Sequence, residues 1–592
     1  MKRAVIVLAA MLLLGLSARA DDAPANLNEK TVAQLQQMMA RGQLTSVELT
    51  NYYIKRIQLL DQNGPGVNAI IELNPDALAM AKNADELRRR GKVPGPLHGL
   101  PVLLKDNIDT GDRMQTTAGS FALAGRPALR DSTVAANLRA GGAVILGKTN
   151  LSEWANFRGW NSVSGWSGRG GQTHNPYGID RNPCGSSSGS GAAASANFTA
   201  VSFGSETDGS IVCPGNANGV VAIKPTVGLT SRAGVVPISH TQDTVGPHAR
   251  TVADAAAALG VAQSRTFDGR DAATGSVPLG WRHTGKARPA IPADYTQFLD
   301  PDGLRGKRIG VTRQGIDNGV IAAGGGQAMV AAFDAAIAAI EAAGATVVPI
   351  DDSAFTPSAG EFLVLFYDFK QDLKNYFATR VGVPMAGKTI VDAIAFNNAH
   401  AGVEMPFFGQ ELFEATADVQ DGPDTPQGLL GPPALNLDFG GLTYNQALDL
   451  DEAAGVTFDK ILSDNHLDAI VAPTDSAAWA TDLVFGDKLT FASSALAAGQ
   501  GYPIVQVPSG NVFGVPLGIS FIGTAFSEPT LIKLASGFEA VTQARAHNLP
   551  TFAATIPFDH IEGVPVVPPH RRASPPRSKA AESKYPKAPR HL

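Results

Sequence analysis

The sequence predicts an α/β fold in which one large, mostly buried β-sheet is covered by helices on both faces. The chain has 592 residues, of which 44% are hydrophobic and 17% are charged. This is a globular composition with enough length for a large core. Short apolar runs also alternate with helical stretches along the chain. Because these runs are almost continuously hydrophobic, they are typical of strands buried on both faces.

Four stretches show helical patterns. Residues 31–42 and 45–62 predict two helices near the N-terminus, and the second opens with Thr45 and Glu48 at capping-box spacing. Residues 328–344 and 529–544 predict two more, since their apolar residues continue over a length that suits helices better than strands.

Ten apolar runs predict strands. In chain order they read NAIIEL, LPVLL, AVILG, FTAVSFG, GVVAIK, RIGVT, ATVVPI, DAIVAP, PIVQVP and GISFIG. Residues 400–441 are rich in Gly, Pro and acidic residues and predict an irregular insertion or lid.

The two ends of the chain predict segments outside the fold. Residues 1–20 have a basic start, a short apolar run and a small-x-small end, which predicts a signal peptide cleaved after Ala20. We therefore expect an exported protein, periplasmic or secreted, without stable membrane insertion. Residues 567–592 carry seven Lys/Arg and one Glu in a Pro-rich context, which predicts a disordered tail. Residues 21–566 are left as one domain.

Charge and residue spacing exclude several classes of function. The net charge is −6 although the tail is basic, so the rest of the chain is acidic. An acidic body argues against nucleic acid as a partner. Histidines are scattered without metal-ligand spacing, so we expect no metal. We expect no cofactor either. The sequence leaves open whether its two cysteines, Cys184 and Cys213, form a disulfide bond.

Two Gly/Ser-rich turns suggest a reactive site. The stretch CGSSSGSGAAAS begins at Cys184, and a second turn, SETDGS, follows a buried strand. Core segments flank both turns, which argues against a flexible linker. We expect the turns to lie side by side at one edge of the sheet, where backbone N–H groups and hydroxyls would suit a developing oxyanion.

A reactive serine needs a base, and the residues alone leave the choice open. Residues 185–189 match the G-x-S-x-G elbow, which would make Ser187 the nucleophile and need His240 or His248. The elbow requires a strand immediately before it, but the residues before this stretch are typical of turns. Lys105 follows an apolar strand, where burial could lower its pKa by several units, although strand-end lysines usually reach solvent. Lys148 and Lys224 are rival bases.

Several motifs together resemble the amidase signature family. They are GPLHGLPVLLKDNID, GAVILGKTNLSEWANFRG, CGSSSGSGAAAS, GSETDGSIVCPGNANGVVAIKPTVGLTSR and QDTVGPHARTVADAA. The resemblance runs from about residue 27 to residue 561, and within the family it is nearest to bacterial peptide amidases. It implies the amidase-signature fold with a large mixed sheet, and hydrolysis of a small-molecule or peptide amide without a cofactor.

The resemblance also implies a role for each motif residue. Ser210 falls on the family's acyl-forming nucleophile, and Lys105 falls on its base. Ser186 falls on a bridging serine that follows a cis peptide bond. The backbone N–H groups of residues 207–210, namely Thr207, Asp208, Gly209 and Ser210, would form the oxyanion hole. Ser187 is expected to support the site by hydrogen bonding.

The chain departs from the common family pattern in the second turn. Many members read T-D-x-G-G-S, whereas this chain has Asp208 at a glycine position and Val212 where an arginine is frequent. Asp tolerates unusual backbone angles better than most residues, so function is compatible with this change. Both departures, like the export signal, favour a peptide amidase over a tRNA-dependent amidotransferase subunit.

Other polar and aromatic residues are predicted to shape the site. Trp154 and Asn156 are expected to bind substrate, and four aromatic residues suggest a substrate wall, although aromatic clusters are more often core: Trp154, Phe157, Trp160 and Trp166. Asp106, Glu206 and Asp208 are expected to be hydrogen-bonding scaffolds.

The sequence thus predicts a serine-based amidase that releases ammonia, with the C-terminal amides of peptides as the expected substrate. Two alternatives stay open: an amidase for small aliphatic or aryl amides, and a catalytically silent peptide-binding protein. The sequence does not fix the oligomeric state.

Overall fold

The computed structural model describes residues 26–313, 315–316, 326–351, 358 and 360–555. The predicted signal peptide and basic tail lie outside the described residues. Within these ranges, no helix is both long enough and apolar enough to cross a membrane.

An eleven-stranded mixed β-sheet forms the centre of the fold and is flanked by helices, as predicted. The strands are β1 (Ile70–Leu73), β2 (Pro101–Lys105), β3 (Val144–Thr149), β4 (Trp166–Ser167), β5 (Gly171–Gln172), β6 (Val201–Glu206), β7 (Val221–Lys224), β8 (Thr244–Ala249), β9 (Arg308–Val311), β10 (Thr346–Pro349), β11 (Leu429–Leu430), β12 (Leu437–Asp438), β13 (Ala469–Pro473), β14 (Ile504–Val512) and β15 (Val515–Ile522). The large sheet has the order β1-β3-β2-β6-β8-β7-β14-β15-β13-β9-β10, and the pairs β4–β5 and β11–β12 form two small sheets.

The helices cover this sheet and build a second layer. They are α1 (Val32–Ala40), α2 (Ser46–Leu60), α3 (Ala77–Arg89), α4 (Thr133–Ala140), α5 (Ser188–Ser195), α6 (Val212–Ala217), α7 (Val252–Ala262), α8 (Gln327–Ala342), α9 (Glu361–Ala378), α10 (Ile390–Ala399), α11 (Ala401–Glu404), α12 (Glu411–Asp418), α13 (Tyr444–Asp464), α14 (Glu528–Thr542) and α15 (Ala544–His547).

All ten predicted strands and all four predicted helices are present, but the central strand β8 was not predicted. Gly246 and Pro247 interrupt its apolar run, and proline normally argues against a central strand. β7 pairs with β8 only at Ala249 and His248, so Pro247 lies where that ladder has ended. The missing N–H of Pro247 therefore removes no hydrogen bond between β7 and β8.

The segment at 400–441 is less irregular than predicted. It contains α12, whose Leu412 and Phe413 are buried in a second hydrophobic cluster together with residues of α9 and α10. The Gly and Pro residues around α12 obscured its helical pattern of apolar residues in the sequence. The prediction of an irregular insertion is therefore wrong for residues 411–418.

The sheet brings two chemically important ends together. β2 and β6 are parallel neighbours, with Leu104 opposite Phe203. Because parallel strands end at the same edge, Lys105 at the end of β2 lies beside Ser205 and Glu206 at the end of β6.

Candidate active site

The Lys105 side chain is fully buried at the end of β2 and points at hydroxyl groups. Its Nζ lies 2.8 Å from Ser186 Oγ, 3.0 Å from Ser205 Oγ and 3.2 Å from the Ser205 carbonyl oxygen. Lys105 does not reach solvent, so the alternative of a lysine that extends to the surface is wrong.

The surroundings of Lys105 favour an uncharged amine. Burial lowers the pKa of Lys105 from 10.5 to about 7, and the charges of Asp243 and Glu206 oppose this shift only in part. Across the described ranges, no carboxylate lies within 4 Å of its Nζ. A neutral amine has two N–H donors and one lone pair. If the two oxygens of Ser205 accept the donors, the lone pair is left for the Ser186 hydroxyl.

Among the described residues, neither rival lysine hydrogen-bonds to a serine hydroxyl. Lys148 Nζ donates to the Ile108 carbonyl and to Thr116 Oγ1, and Lys224 Nζ donates to the Tyr502 carbonyl over 2.6 Å. Both contacts with carbonyl oxygens are structural, so neither lysine is positioned to accept a proton from the serine-rich turn.

The two Gly/Ser turns lie side by side, as predicted. The Ser187 N–H donates to the Ser210 carbonyl over 3.1 Å, and Ser187 Oγ donates to the Ser205 carbonyl over 3.0 Å. The Gly185–Ser186 peptide bond is cis, which confirms the expectation from the resemblance. No hydrogen bond joins Ser186 Oγ to Ser210 Oγ among the described residues; catalytic contacts commonly tighten only when substrate binds.

The elbow alternative is contradicted. No strand precedes Ser187 between Thr173 and the start of α5, and the Ser187 hydroxyl bonds to backbone. His248 donates its Nε2–H to the Ile211 carbonyl, while His240 is exposed and bonds to Asp372. Neither histidine is bonded to a serine.

The loop from Thr207 to Ser210 presents unused backbone donors. Within the described chain, the N–H groups of these four residues donate to no protein acceptor. Gly209 has φ +79°, the left-handed conformation that favours glycine, whereas Asp208 does not adopt it. The departure from the family pattern at Asp208 therefore falls where glycine is not required.

Two carboxylates fix the shape of this loop. Glu206 accepts the N–H groups of Ile211 and Val212 over 2.6 and 2.9 Å. Asp243 accepts the Thr207 hydroxyl over 2.6 Å and also the backbone N–H groups of Ile238 and Ser239. Asp243 was missed in the sequence, because it lies in a loop before the unpredicted strand β8.

A cavity of about 420 Å³ opens above Ser210. Asn156 and Trp160 line it, as predicted, and Asn156 is held by Ser162 and Ser164. Trp154 does not line it. The Trp154 side chain is only 2% exposed and packs against Phe377 and Phe413, so it stabilises the second helical layer instead of contacting substrate.

The other predicted wall residues divide in the same way. Phe157 lines the cavity, whereas Trp166 does not and packs against Phe407 and Phe408. The wall also includes residues from parts of the chain that carried no motif, which are Glu361, Phe362, Leu365, Leu412, Asp475, Trp479, Asp487, Leu489, Ala492 and Ser494. A polar residue two positions after a buried strand was the one available signal, and it applies to Asp475.

The three predicted scaffold carboxylates all make hydrogen bonds within the protein. Asp106 accepts from Thr117 and pairs with Arg169, and Glu206 holds the loop that carries Ser210. Asp208 hydrogen-bonds with Ser494, and its exposed side chain also lines the cavity.

A disulfide bond joins Cys184 to Cys213 and answers the question that the sequence left open. It ties the turn that carries Ser186 to the start of the helix that follows Ser210, and both cysteines line the cavity. Disulfides persist in oxidising compartments. The bond is therefore consistent with export, which stays a prediction.

Within the part of the chain that the structure describes, one group of side chains has ligand atoms close enough together for a metal ion, and none of its members lines the cavity. His240, Asp368 and Asp372 place their ligand atoms within 4.8 Å of one another. His240 Nδ1 is already 2.9 Å from Asp372, and the Ser239 and Tyr444 hydroxyls donate to Asp368. A histidine–aspartate ion pair accounts for this group.

Comparison with known proteins gives a consistent set of relatives. The family model described as Amidase matches residues 48–532. A probable amidase of Arabidopsis thaliana is 40% identical over 88% of this chain and 91% of its own length. The native peptide amidase of Stenotrophomonas maltophilia is 45% identical with a TM-score of 0.77, over 89% of this chain and 99% of that one. A peptide amidase in complex with the competitive inhibitor chymostatin is also 45% identical, with a TM-score of 0.78 and the same coverage.

Proposed function

Because this chain belongs to the amidase family, which hydrolyses amide C–N bonds, we propose that it removes the C-terminal amide of peptides through Ser210, Ser186 and Lys105. The products are a peptide carboxylate and ammonia. The observation that carries this proposal is the 2.8 Å contact between Lys105 Nζ and Ser186 Oγ, made by a lysine whose pKa burial lowers to about 7.

The proposed reaction moves one proton along a short relay. Ser210 Oγ attacks the carboxamide carbon while its proton passes to Ser186, whose own proton passes to the lone pair of Lys105. The carbonyl oxygen becomes an oxyanion, which the free N–H groups of residues 207–210 stabilise. Lys105 then returns the proton through Ser186 to the leaving nitrogen, the C–N bond breaks and ammonia departs.

Water completes the cycle by the same route. It attacks the acyl-enzyme and gives its proton through Ser186 to Lys105. The proton then returns to Ser210 Oγ as the peptide carboxylic acid leaves, and the acid ionises in solution to the carboxylate, with its proton taken up by the released ammonia. Every proton that the relay accepts is given back, so no cofactor is needed for the balance.

A peptide substrate is supported by the cavity and by the relatives. The cavity of about 420 Å³ is far larger than acetamide requires, and aromatic and aliphatic side chains such as Trp160, Phe362 and Leu365 form part of its wall. Two structural relatives at 45% identity are named peptide amidases.

An amide panel tests this proposal. Ammonia release is measured for acetamide, benzamide, amino-acid amides and dipeptide and tripeptide amides. We expect kcat/KM for the best peptide amide to exceed that for acetamide by about 100-fold or more, because remote contacts add binding energy at the transition state. A preference for acetamide or benzamide would favour the small-amide alternative. No ammonia from any amide would favour a silent peptide-binding protein.

A further inference from the structure

The wall of the active-site cavity carries an unusual excess of acidic over basic side chains. Among the described residues, its lining includes four carboxyl-bearing side chains and no lysine, arginine or histidine. The four are Asp208, Glu361, Asp475 and Asp487. They come from three separate segments of the chain, since Asp475 and Asp487 share the connection after β13, so the excess is a property of the folded cavity and not of one acidic stretch.

Asp487 is already satisfied by the protein. It accepts the Ser164 hydroxyl over 2.5 Å and the Ser164 N–H over 3.1 Å. Its role is therefore to hold the cavity wall, and the remaining three carboxylates carry the argument.

Asp475 is buried without a partner. Its side chain is 1% exposed, and neither of its carboxylate oxygens accepts a hydrogen bond from any described residue. A buried carboxylate without donors is costly, and proteins usually pair such groups. Asp475 lines the cavity, so a bound molecule can supply the missing donors there.

Asp208 and Glu361 place two further carboxyl groups in the same cavity wall. Asp208 is exposed, and it lies two residues before Ser210, so a group that it binds lies close to the scissile carboxamide. Glu361 accepts the Gln242 side-chain amide over 2.9 Å and is otherwise buried. Burial and the charge of Asp208 raise the pKa of Glu361 well above its ordinary value. Burial and the charges of Glu206 and Asp208 do the same to the pKa of Asp475.

The protein supplies little positive charge to offset these groups. Lys224 is buried near Glu206, Asp208 and Glu361, and its charge lowers the pKa of each of them. One lysine cannot neutralise several carboxylates, and its Nζ bonds to the Tyr502 carbonyl. A positively charged ligand would reduce the repulsion among these carboxyl groups. It would also donate the hydrogen bonds that Asp475 lacks.

We propose that the cavity selects amides that carry a positive charge near the scissile carboxamide, held by Asp475, Glu361 and Asp208. The substrate class is the amide of a short peptide or amino acid with a free α-ammonium group or a basic side chain. This inference rests on the proposed amidase function and specifies its substrate. The carboxylates bind and orient the cation, and they take no part in the proton relay.

Two pairs of amides that differ in charge but hardly in shape test the selection. The first pair is glycyl-leucinamide and glycolyl-leucinamide, in which a hydroxyl replaces the ammonium group. The second pair is Nα-acetyl-lysinamide and Nα-acetyl-norleucinamide. We measure kcat/KM for ammonia release at pH 7, and we expect the cationic member of at least one pair to be favoured by about tenfold or more, mostly through a lower KM.

Charge-removing variants locate the effect. Asp475→Asn and Glu361→Gln keep the side-chain shape and remove one charge each, and we expect either to lower the preference for the cation by about tenfold. Glu341→Gln removes an exposed carboxylate from α8, outside the cavity, and is the matched control with an unchanged preference.

The possible outcomes separate this inference from the proposed function. If ammonia is released but neither pair shows a preference for the cation, the selection is wrong and the amidase function stands. A preference that survives in both cavity variants also overturns the inference. If no amide releases ammonia, the proposed function itself is wrong.

Discussion

Ser210→Ala is expected to lower kcat for peptide amide hydrolysis by at least about 10³-fold, because it removes the atom that forms the acyl-enzyme. The free N–H groups of residues 207–210 remain in this variant, so a small activity above the uncatalysed rate is compatible with the account. Initial rates of ammonia release with a tripeptide amide measure the loss.

Ser190→Ala is the matched control for this variant. Ser190 is also a buried serine of the first Gly/Ser turn, and its hydroxyl donates to the Phe203 carbonyl over 3.0 Å. We expect it to keep kcat within about tenfold of the wild type, since the loss of its two buried hydrogen bonds, to the Phe203 carbonyl and the Thr149 hydroxyl, affects mainly stability. Thermal unfolding of both variants shows whether they are folded. Full turnover by folded Ser210→Ala would show that another residue is the nucleophile.

Lys105→Ala is expected to lower kcat by about 10²- to 10⁴-fold, because the relay then has no proton acceptor. Ser186→Ala should retain more activity than Lys105→Ala, since a water molecule can occupy the space of one hydroxyl and pass the proton. Both rates are measured with the same tripeptide amide.

Lys148→Met tests whether the effect is specific to Lys105. Lys148 is an equally buried lysine on the neighbouring strand β3, and it bonds to Ile108 and Thr116. Its replacement is expected to reduce thermal stability without a comparable loss of kcat in the folded protein. Mild and equal losses in Lys105→Ala and Ser186→Ala would contradict the relay.

The sequence predicted the sheet well because most of its strands are buried on both faces. Such strands are continuous apolar runs, and each of the ten that were predicted is present. β8 was missed because Gly246 and Pro247 give no such run, although pairing with β6 along its length makes it a strand. Tertiary pairing there overrides local propensity.

The site shows the same contrast between residues that a local pattern identifies and residues that only the tertiary structure places. The proximity of the segments that carry Lys105, Ser186 and Ser210 could be predicted, because each lies in a motif with a family resemblance, and the structure brings these segments together. Trp154 was misassigned since sequence gives no information on which side of a loop a side chain packs. Asp475 carried no motif, and only the fold places it in the cavity wall.

The dependence of kcat/KM on pH tests the central claim most directly, since that claim is an uncharged Lys105 at working pH. With the pKa of Lys105 lowered to about 7, kcat/KM for an amide without ionisable groups should rise about tenfold per pH unit at low pH and level off near pH 8. The residual activity of Lys105→Ala should lack this rise. A profile that is flat from about pH 5 to 9 in the wild type, or a rise that persists unchanged in Lys105→Ala, would contradict the account.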